Sequence, residues 1–343
     1  MTSRSTGGRR ATGDVRSLGG EEALIQRYFA PLAAGYPGAF GLADDCAQIA
    51  PAPGCELVVT TDAVAAGVHF FPDDSPRDIG WKALAVNVSD LAAKGARPVA
   101  YVLAIALPEA PTDDWMSELA AGLGEAQRAF ACHLIGGDTD RRPGPPSITI
   151  TALGEVPAGT MVRRGAARPG CDLYVTGTLG DAALGLMLRR DPGLARGWGL
   201  DEAEARQLVG RYLRPQPRLL GEVLRRHAVA AMDISDGLAK DLGRMARASS
   251  VGALVDAGAV PLSPAARRAL GRDAGLWEQI VAGGDDYELL VAVAPAAGAA
   301  FATEAAAAGI PVTRIGHCVV GEGVAFDLDG TVMQLDRSGW DHF

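Results

Sequence analysis

Aspartates set beside glycine, serine or threonine recur where apolar runs end. They stand in GLADDCA (Asp44, Asp45), TTDAV (Asp62), NVSD (Asp90), GGDTD (Asp138), MDISDG (Asp233, Asp236) and GGDDYE (Asp285, Asp286). One such residue is ordinarily a turn former or a helix N-cap. Six such places ask for more, because converging carboxylates raise one another's pKa and need a cation to stay charged. Carboxylate and hydroxyl oxygens are hard donors that suit Mg2+ rather than zinc. The chemistry this points to is phosphoryl transfer, with metal ions offsetting the charge of a nucleoside triphosphate.

Other chemistries drop out. No Gly-Lys dipeptide exists, so a Walker A loop is excluded, and no GxGxxG follows a strand. Neither an HRD/DFG kinase set nor a GxSxG elbow is present. The five histidines form no HExxH pair, and the five cysteines form no CxxC. Scattered cysteines, odd in number, fit a reducing, cytoplasmic setting. A net charge of -9 argues against a general nucleic-acid surface. No apolar run reaches membrane-spanning length, so neither a nucleic acid nor a membrane is expected as partner.

Each candidate has a plainer reading. Asp236 precedes Gly237 and a helix, as an N-cap would. Asn87, Asp90 and Lys94 fit the solvated stripe of an amphipathic helix. Gly136-Gly137 and Gly283-Gly284 fit close approach to a ligand and equally well ordinary tight turns. Lys82, Lys94 and Lys240 are the only lysines, a bias that genomic base composition accounts for.

The elements that must position these residues are mixed. Residues 1–20 are polar and Gly/Arg-rich and read as a disordered tail. A helix starts at Glu21; CELVVTTDAV is a strand, GWKALAVNVSDLAAKGARP a helix and VAYVLAIALP a buried strand. A helix capped by Thr112 follows, then CHLIGGDTDR as a short strand running into a Gly-rich loop, then the strand SITITALGEV. PAGTMVRRGAARPGCD has no periodicity, which sets a domain junction there. Beyond it, helices near 181–190, 202–212, 218–227, 264–282 and 296–308 alternate with strands. Asp329-Gly330 between alternating flanks predicts a hairpin. The expectation is an α/β (α+β) chain of two mixed α/β domains, residues 21–156 and 157–343. With 48% hydrophobic residues it has ample material for a core in each.

Read in order, ADDCA, TTDAVAAGVHF, WKALAVNVSDLAAKGARP, GGDT, DISDGL, GGDDYEL and the terminal GWDHF resemble the thiamine-monophosphate kinases, within the aminoimidazole-ribonucleotide-synthetase superfamily. The resemblance runs from about Glu21 to Phe343. GVHF, GGDDYEL and DHF point to the kinase, the other motifs to the superfamily. It implies ATP-dependent phosphorylation of thiamine monophosphate to thiamine diphosphate. It also implies several Mg2+ ions, with ATP as co-substrate, and a homodimer paired through its N-terminal sheets.

By motif position the resemblance makes Asp44, Thr60, Thr61, Asp62, Asp90, Asp138, Asp233 and Asp236 magnesium ligands. The threonines would use hydroxyl or carbonyl oxygens. Gly137, Asp138, Ser235 and an arginine of MVRRGA (Arg163 or Arg164, the latter nearer the motif) would serve ATP. His69, Asp285 and Trp340 would line the thiamine phosphate site. A family tyrosine's place falls near Ala120.

A phosphate monoester acceptor is already anionic, so no general base is expected. Positioning and charge neutralisation carry the transfer, with Asp62, Asp90 and Asp233 central. Alternatives are a selenophosphate or aminoimidazole ribonucleotide synthetase, or a non-catalytic nucleotide- or metal-binding module. A selenophosphate synthetase needs a reactive Cys and a nearby Lys in an N-terminal Gly-rich loop, which are absent here. A hydrogenase-maturation relative would end in cysteine. A decayed module would have lost some of the aspartates.

Overall fold

The computed structural model describes residues 20–333, 335, 339 and 340. The expected N-terminal tail, apart from Gly20, and the last three residues of GWDHF lie outside them.

The first half builds a four-stranded sheet from β1 (Cys55–Ala65), β2 (Arg97–Leu107), β3 (His133–Arg141) and β4 (Ser147–Pro157), in the order β1-β4-β2-β3. Only the β2–β3 pairing is parallel. The helical run from Glu21 to Ala33, broken by a π turn at Ile25–Phe29, is α1; α2 spans Pro76–Ala93 and α3 Asp113–Phe130. Thr112 caps α3 by accepting the Trp115 N–H at 3.2 Å, as its position implied. α2 and α3 cross almost backbone to backbone: a Cβ at Gly122 would lie 1.9 Å from the Arg77 carbonyl oxygen. Tyr101, Ile148 and Ile150 face these helices and pack on Leu84, Leu91, Met116 and Leu119.

The second half builds a seven-stranded sheet. Its strands are β5 (Asp172–Thr176), β6 (Ala228–Ile234), β7 (Gly252–Asp256), β8 (Glu288–Val293), β9 (Val312–Val319), β10 (Val324–Leu328) and β11 (Thr331–Met333). They lie in the order β11-β10-β7-β9-β5-β8-β6. Its longer helices are α4 (Asp181–Arg190), α5 (Glu202–Leu213), α6 (Gly221–His227), α7 (Leu238–Ser249), α8 (Pro264–Arg272), α9 (Leu276–Ala282) and α10 (Gly298–Ala307), with a single turn at Leu194–Gly197. The helices expected around 264–282 are α8 and α9, divided by the Asp273–Gly275 turn. Asp329 and Gly330 both have positive φ, 52° and 84°, which the two-residue turn of the expected hairpin requires.

α2 corrects the amphipathic reading. It lies between the two halves, contacting β1 and β4 on one side and β6 on the other. Asn87 is fully buried, so the stripe of Asn87, Asp90 and Lys94 is not a solvated face. A helix covered on opposite sides has no single apolar stripe to display. GGDTD also departs from expectation. Gly136, Gly137 and Asp138 pair with β2 inside β3 rather than forming a loop. A Cβ at Gly137 would sit 1.9 Å from the Leu103 carbonyl oxygen, so this glycine serves the strand–strand approach. Among the described residues no helix is long and apolar enough to cross a membrane.

Candidate active site

The polar residues of NVSD reach two strands, Asn87 and Asp90 the first and Ser89 the sixth. Asn87 Oδ1 accepts the Asp62 N–H at 2.9 Å, Ser89 donates to Asp233 Oδ2 at 2.7 Å, and Asp90 Oδ2 accepts the Thr60 hydroxyl at 2.5 Å. α2 therefore ties the end of β1 to the end of β6. The two carboxylates of DISDG arrive differently, because β6 ends between them.

Asp233 still lies within β6, where burial and the Asp90 carboxylate raise its pKa while the Ser89 hydroxyl opposes the rise. Asp236 lies past the strand and meets Arg244 at 2.6 Å and Lys240 at 3.7 Å. It is not the cap of the following helix: Gly237 holds the N-cap position and no side chain caps it. Asp241 is fully buried, accepts the N–H groups of Ser235 at 3.0 Å and Asp236 at 2.8 Å, and pairs with Arg244 at 2.7 Å. It shapes the turn that aims Asp236.

Asp62, Asp90, Asp233 and Asp236 line one cavity of about 410 Å³. Burial first, then the Asp90 and Asp236 carboxylates, push Asp62 up from 3.8 to about 6. The repulsion fits a place for cations. Arg164 and Ser235 face the same space, as do His69, Asp285 and Trp340. His69 Nδ1 accepts the Ala65 N–H at 3.1 Å, which makes Nε2 the protonated nitrogen of a neutral ring. Leu186 and Met187 of α4, with Tyr212 of α5, add an apolar and aromatic wall, and Glu278 of α9 adds a carboxylate. Gly283 and Gly284 permit this packing: Cβ atoms there would lie 2.3 Å from Ala183 Cβ and 2.5 Å from the Ser235 carbonyl oxygen.

The remaining candidates lie elsewhere. Asp44, Gly137 and Asp138 line a second cavity of about 300 Å³ beside α1. Across the sheet Asp62 pairs with Ile150, Ile150 with Leu103, and Leu103 with Gly137. Three strand spacings, about 14 Å, therefore separate the β1 and β3 edges. Thr60 and Thr61 are neighbours in β1 and so point to opposite faces; Thr60 turns to Asp90 on α2, and Thr61 Oγ1 donates to the Ile150 carbonyl at 3.1 Å. Among the described residues no three His, Cys, Asp or Glu side chains converge closely enough to hold a metal. Ala120 packs half-buried against the first core.

Sequence reasoning missed Arg244, Lys82, Tyr212 and the buried amide Asn87. The lysines carried a signal. All three stand at the cavity or against it: Lys82 bonds Asp285, Lys240 bonds the Trp340 carbonyl, and Lys94 bonds the Ala231 carbonyl beside Asp233 at 3.0 Å. A residue type retained nowhere else in an arginine-rich chain was an indication that composition bias alone discarded.

A helix bearing Asn, Ser and Asp between two mixed sheets, with carboxylates from both halves facing one cavity, defines a class. The family models for AIR synthase related proteins match it, the N-terminal domain over residues 43–156 and the C-terminal domain over 168–329. Within that class the relatives are specific. The thiamine-monophosphate kinase of Salmonella typhimurium is 41% identical over 327 residues, 94% of this chain and 98% of that protein. The crystal structure of thiamine-monophosphate kinase from Stenotrophomonas maltophilia K279a matches with a TM-score of 0.76 at 43% identity, covering 85% of this chain and 91% of that one. A structure described as AaThiL complexed with AMPPCP and TMP matches with a TM-score of 0.73 at 30% identity, covering 89% and 97%. The chain belongs to the thiamine-monophosphate kinase family.

Proposed function

We propose that this chain transfers the γ-phosphoryl group of ATP to thiamine monophosphate, giving thiamine diphosphate and ADP. The observation that carries the reading is the single cavity joining phosphate-type and thiamine-type features. Acidic oxygen donors (Asp62, Asp90, Asp233, Asp236) and the cation Arg164 line it. Tyr212, Trp340, Asp285 and Glu278, suited to a flat cationic heteroaromatic, also line it. The AaThiL complex with AMPPCP, an ATP analogue, and TMP supports the same pair of ligands.

The donor set is hard oxygen, and the raised Asp62 and Asp233 carboxyls fit residues that await cations. Asp62, Asp90, Asp233 and Asp236 would hold Mg2+ with one or two carboxylates per ion and the substrate phosphates as the other donors, Thr60 or Thr61 supplying a further oxygen. Bound there, Mg2+ would neutralise charge on the phosphates of both substrates. Arg164 and Ser235 contact the nucleotide phosphates. His69 donates from Nε2 to the acceptor phosphate. No side chain acts as general base, because the acceptor oxygen is already anionic. The protein's work is to bring two anions into line and to keep Asp62, Asp90 and Asp233 fixed through Asn87, Thr60 and Ser89.

The working unit is a homodimer. Mg2+ binds oxygen at about 2.1 Å, so no ion bridges Asp62 and Asp138 across the sheet of one chain. β1 and β3 are the two edges of the four-stranded sheet, and a second copy laying its β3 edge along β1 brings Asp44, Gly137 and Asp138 to the cavity. Residues 21–156 then form the ATP-, magnesium- and dimer-forming domain, and residues 157–343 the second. Five free cysteines suit the cytoplasm.

The test incubates pure protein with ATP, Mg2+ and thiamine monophosphate, with free thiamine and aminoimidazole precursors as controls. Thiamine diphosphate formed from the monophosphate alone is the expected result; absence of product refutes the substrate assignment. Mixing inactive Asp62→Asn with inactive Asp138→Asn protein tests the shared site. Mixed dimers carry one intact site and recover activity, whereas a site built within one chain recovers none.

A further inference from the structure

Lys82 is a buried cation that the phosphate chemistry does not use. Its side chain is 3% exposed, and it stands on α2 behind the cavity wall rather than in it. Its ammonium donates to the His69 carbonyl at 2.9 Å and to Asp285 Oδ2 at 2.9 Å, and lies 3.9 Å from the centre of the Tyr212 ring. An ammonium has three N–H donors, and two oxygens and one aromatic face use all three. Tyr212 donates its hydroxyl to the same His69 carbonyl at 3.2 Å. The loop after β1, α5 and the loop before β8 thus meet on one nitrogen.

The groups it holds are ones that face the cavity: His69, Tyr212 and Asp285. Asp285 has φ 71° and Tyr287 φ 50°, a region that residues with side chains rarely adopt and that persists only where the surroundings enforce it. The Asp285 N–H donates to the Ser235 carbonyl and the Tyr287 N–H to the Ile234 carbonyl, both at 2.8 Å. Those bonds fix the main chain. Lys82 fixes the carboxylate.

We infer that Lys82 is a positioning residue for the thiamine end of the substrate. It sets the His69 loop, the Tyr212 ring and the Asp285 carboxylate as one wall and does not touch the ligand. The inference rests on the thiamine monophosphate reading and deepens it. An ammonium is compact, and a planar guanidinium cannot satisfy two oxygens and a ring face in the same volume, so arginine does not replace it. Lys82 has no bond to Arg164 or Ser235, the residues assigned to ATP.

The test is steady-state kinetics of the full chain, with calorimetric binding of thiamine monophosphate, for Lys82→Met, Lys82→Arg, Asp285→Asn and the double variant Lys82→Met/Asp285→Asn. Lys82→Met is expected to raise KM for thiamine monophosphate about tenfold or more while KM for ATP stays within about twofold. Lys82→Arg does not restore it. The double variant is impaired by less than the product of the two single effects, because both changes remove the one Lys82–Asp285 contact. Should Lys82→Met melt too early to assay, the double variant, which leaves no buried unpaired charge, carries the comparison. An unchanged KM for thiamine monophosphate, equal rises in both KM values, or multiplicative effects in the double variant overturn the proposal alone. A wild-type protein that neither binds nor phosphorylates thiamine monophosphate overturns the substrate reading and this inference with it.

Discussion

Asparagine at position 62 removes a charge that its surroundings oppose and keeps the size of the side chain. Burial, Asp90 and Asp236 together raise the Asp62 carboxyl from 3.8 to about 6. At about 1.4 kcal/mol per tenfold change, a dry site would hold about 3 kcal/mol against the ionised form. More than a third of Asp62 faces solvent, and screening there reduces the figure to about 1 kcal/mol. The folded pKa lies above the unfolded one, so the group favours folding fully below about 3.8 and loses that contribution as pH rises through about 6. Asp62→Asn is therefore expected to melt higher than wild type by about 2 °C at about pH 8 in chelator, with the gap closing near pH 4. It should also lose turnover. Excess Mg2+ should stabilise wild type more than the variant, narrowing the gap at high pH. Scanning calorimetry at both pH values, with and without Mg2+, makes the measurement. A variant that melts at or below wild type at about pH 8 in chelator, or a gap equal at both pH values, refutes the reasoning.

Other residues make separate claims. Asp236→Asn should collapse turnover and change stability by less than about 1 kcal/mol, since Arg244 keeps its pair with Asp241; early melting with normal turnover would count against the metal assignment. Asp241→Ala orphans the N–H groups of Ser235 and Asp236 and should cost about 2–3 kcal/mol in urea unfolding. Glu288→Ala removes a fully buried carboxylate that pairs Arg211 at 2.8 Å and Arg218 at 2.6 Å. Leaving two guanidinium groups without it should cost about 3–5 kcal/mol, read from denaturant midpoints.

The pattern of elements was legible because it depends on local periodicity. Strands of alternating or continuous apolar residues, the Thr112 cap and the Asp329-Gly330 turn all follow from neighbours within a few positions. Assigning partners was harder. The fate of Asp236 depended on Arg244, two turns along a helix, and the sequence could not choose between a cap and a cavity carboxylate. Asn87 looked solvated because its partner is the Asp62 N–H on β1, 25 residues away in the chain. Gly136-Gly137 looked like a loop because glycine marks both turns and tight strand contacts. The eight expected ligands form an ordered string in sequence, yet the sheet order sets Asp62 and Asp138 at opposite edges. Strand order is a tertiary property, and motif spacing along the chain carries no record of it.

Tyr287 follows GGDD in the chain, yet its side chain belongs to the first hydrophobic core, with Val64, Phe70 and Leu84. The ribosome therefore releases every strand of the four-stranded sheet long before the residue that completes its packing. Until residue 287 emerges, a growing chain carries this core with one aromatic missing. Truncation anywhere before residue 287 thus removes a piece of the first half as well as the end of the second. A separately expressed N-terminal half would be expected to expose apolar surface and to associate, and adding the C-terminal half in trans should rescue its solubility.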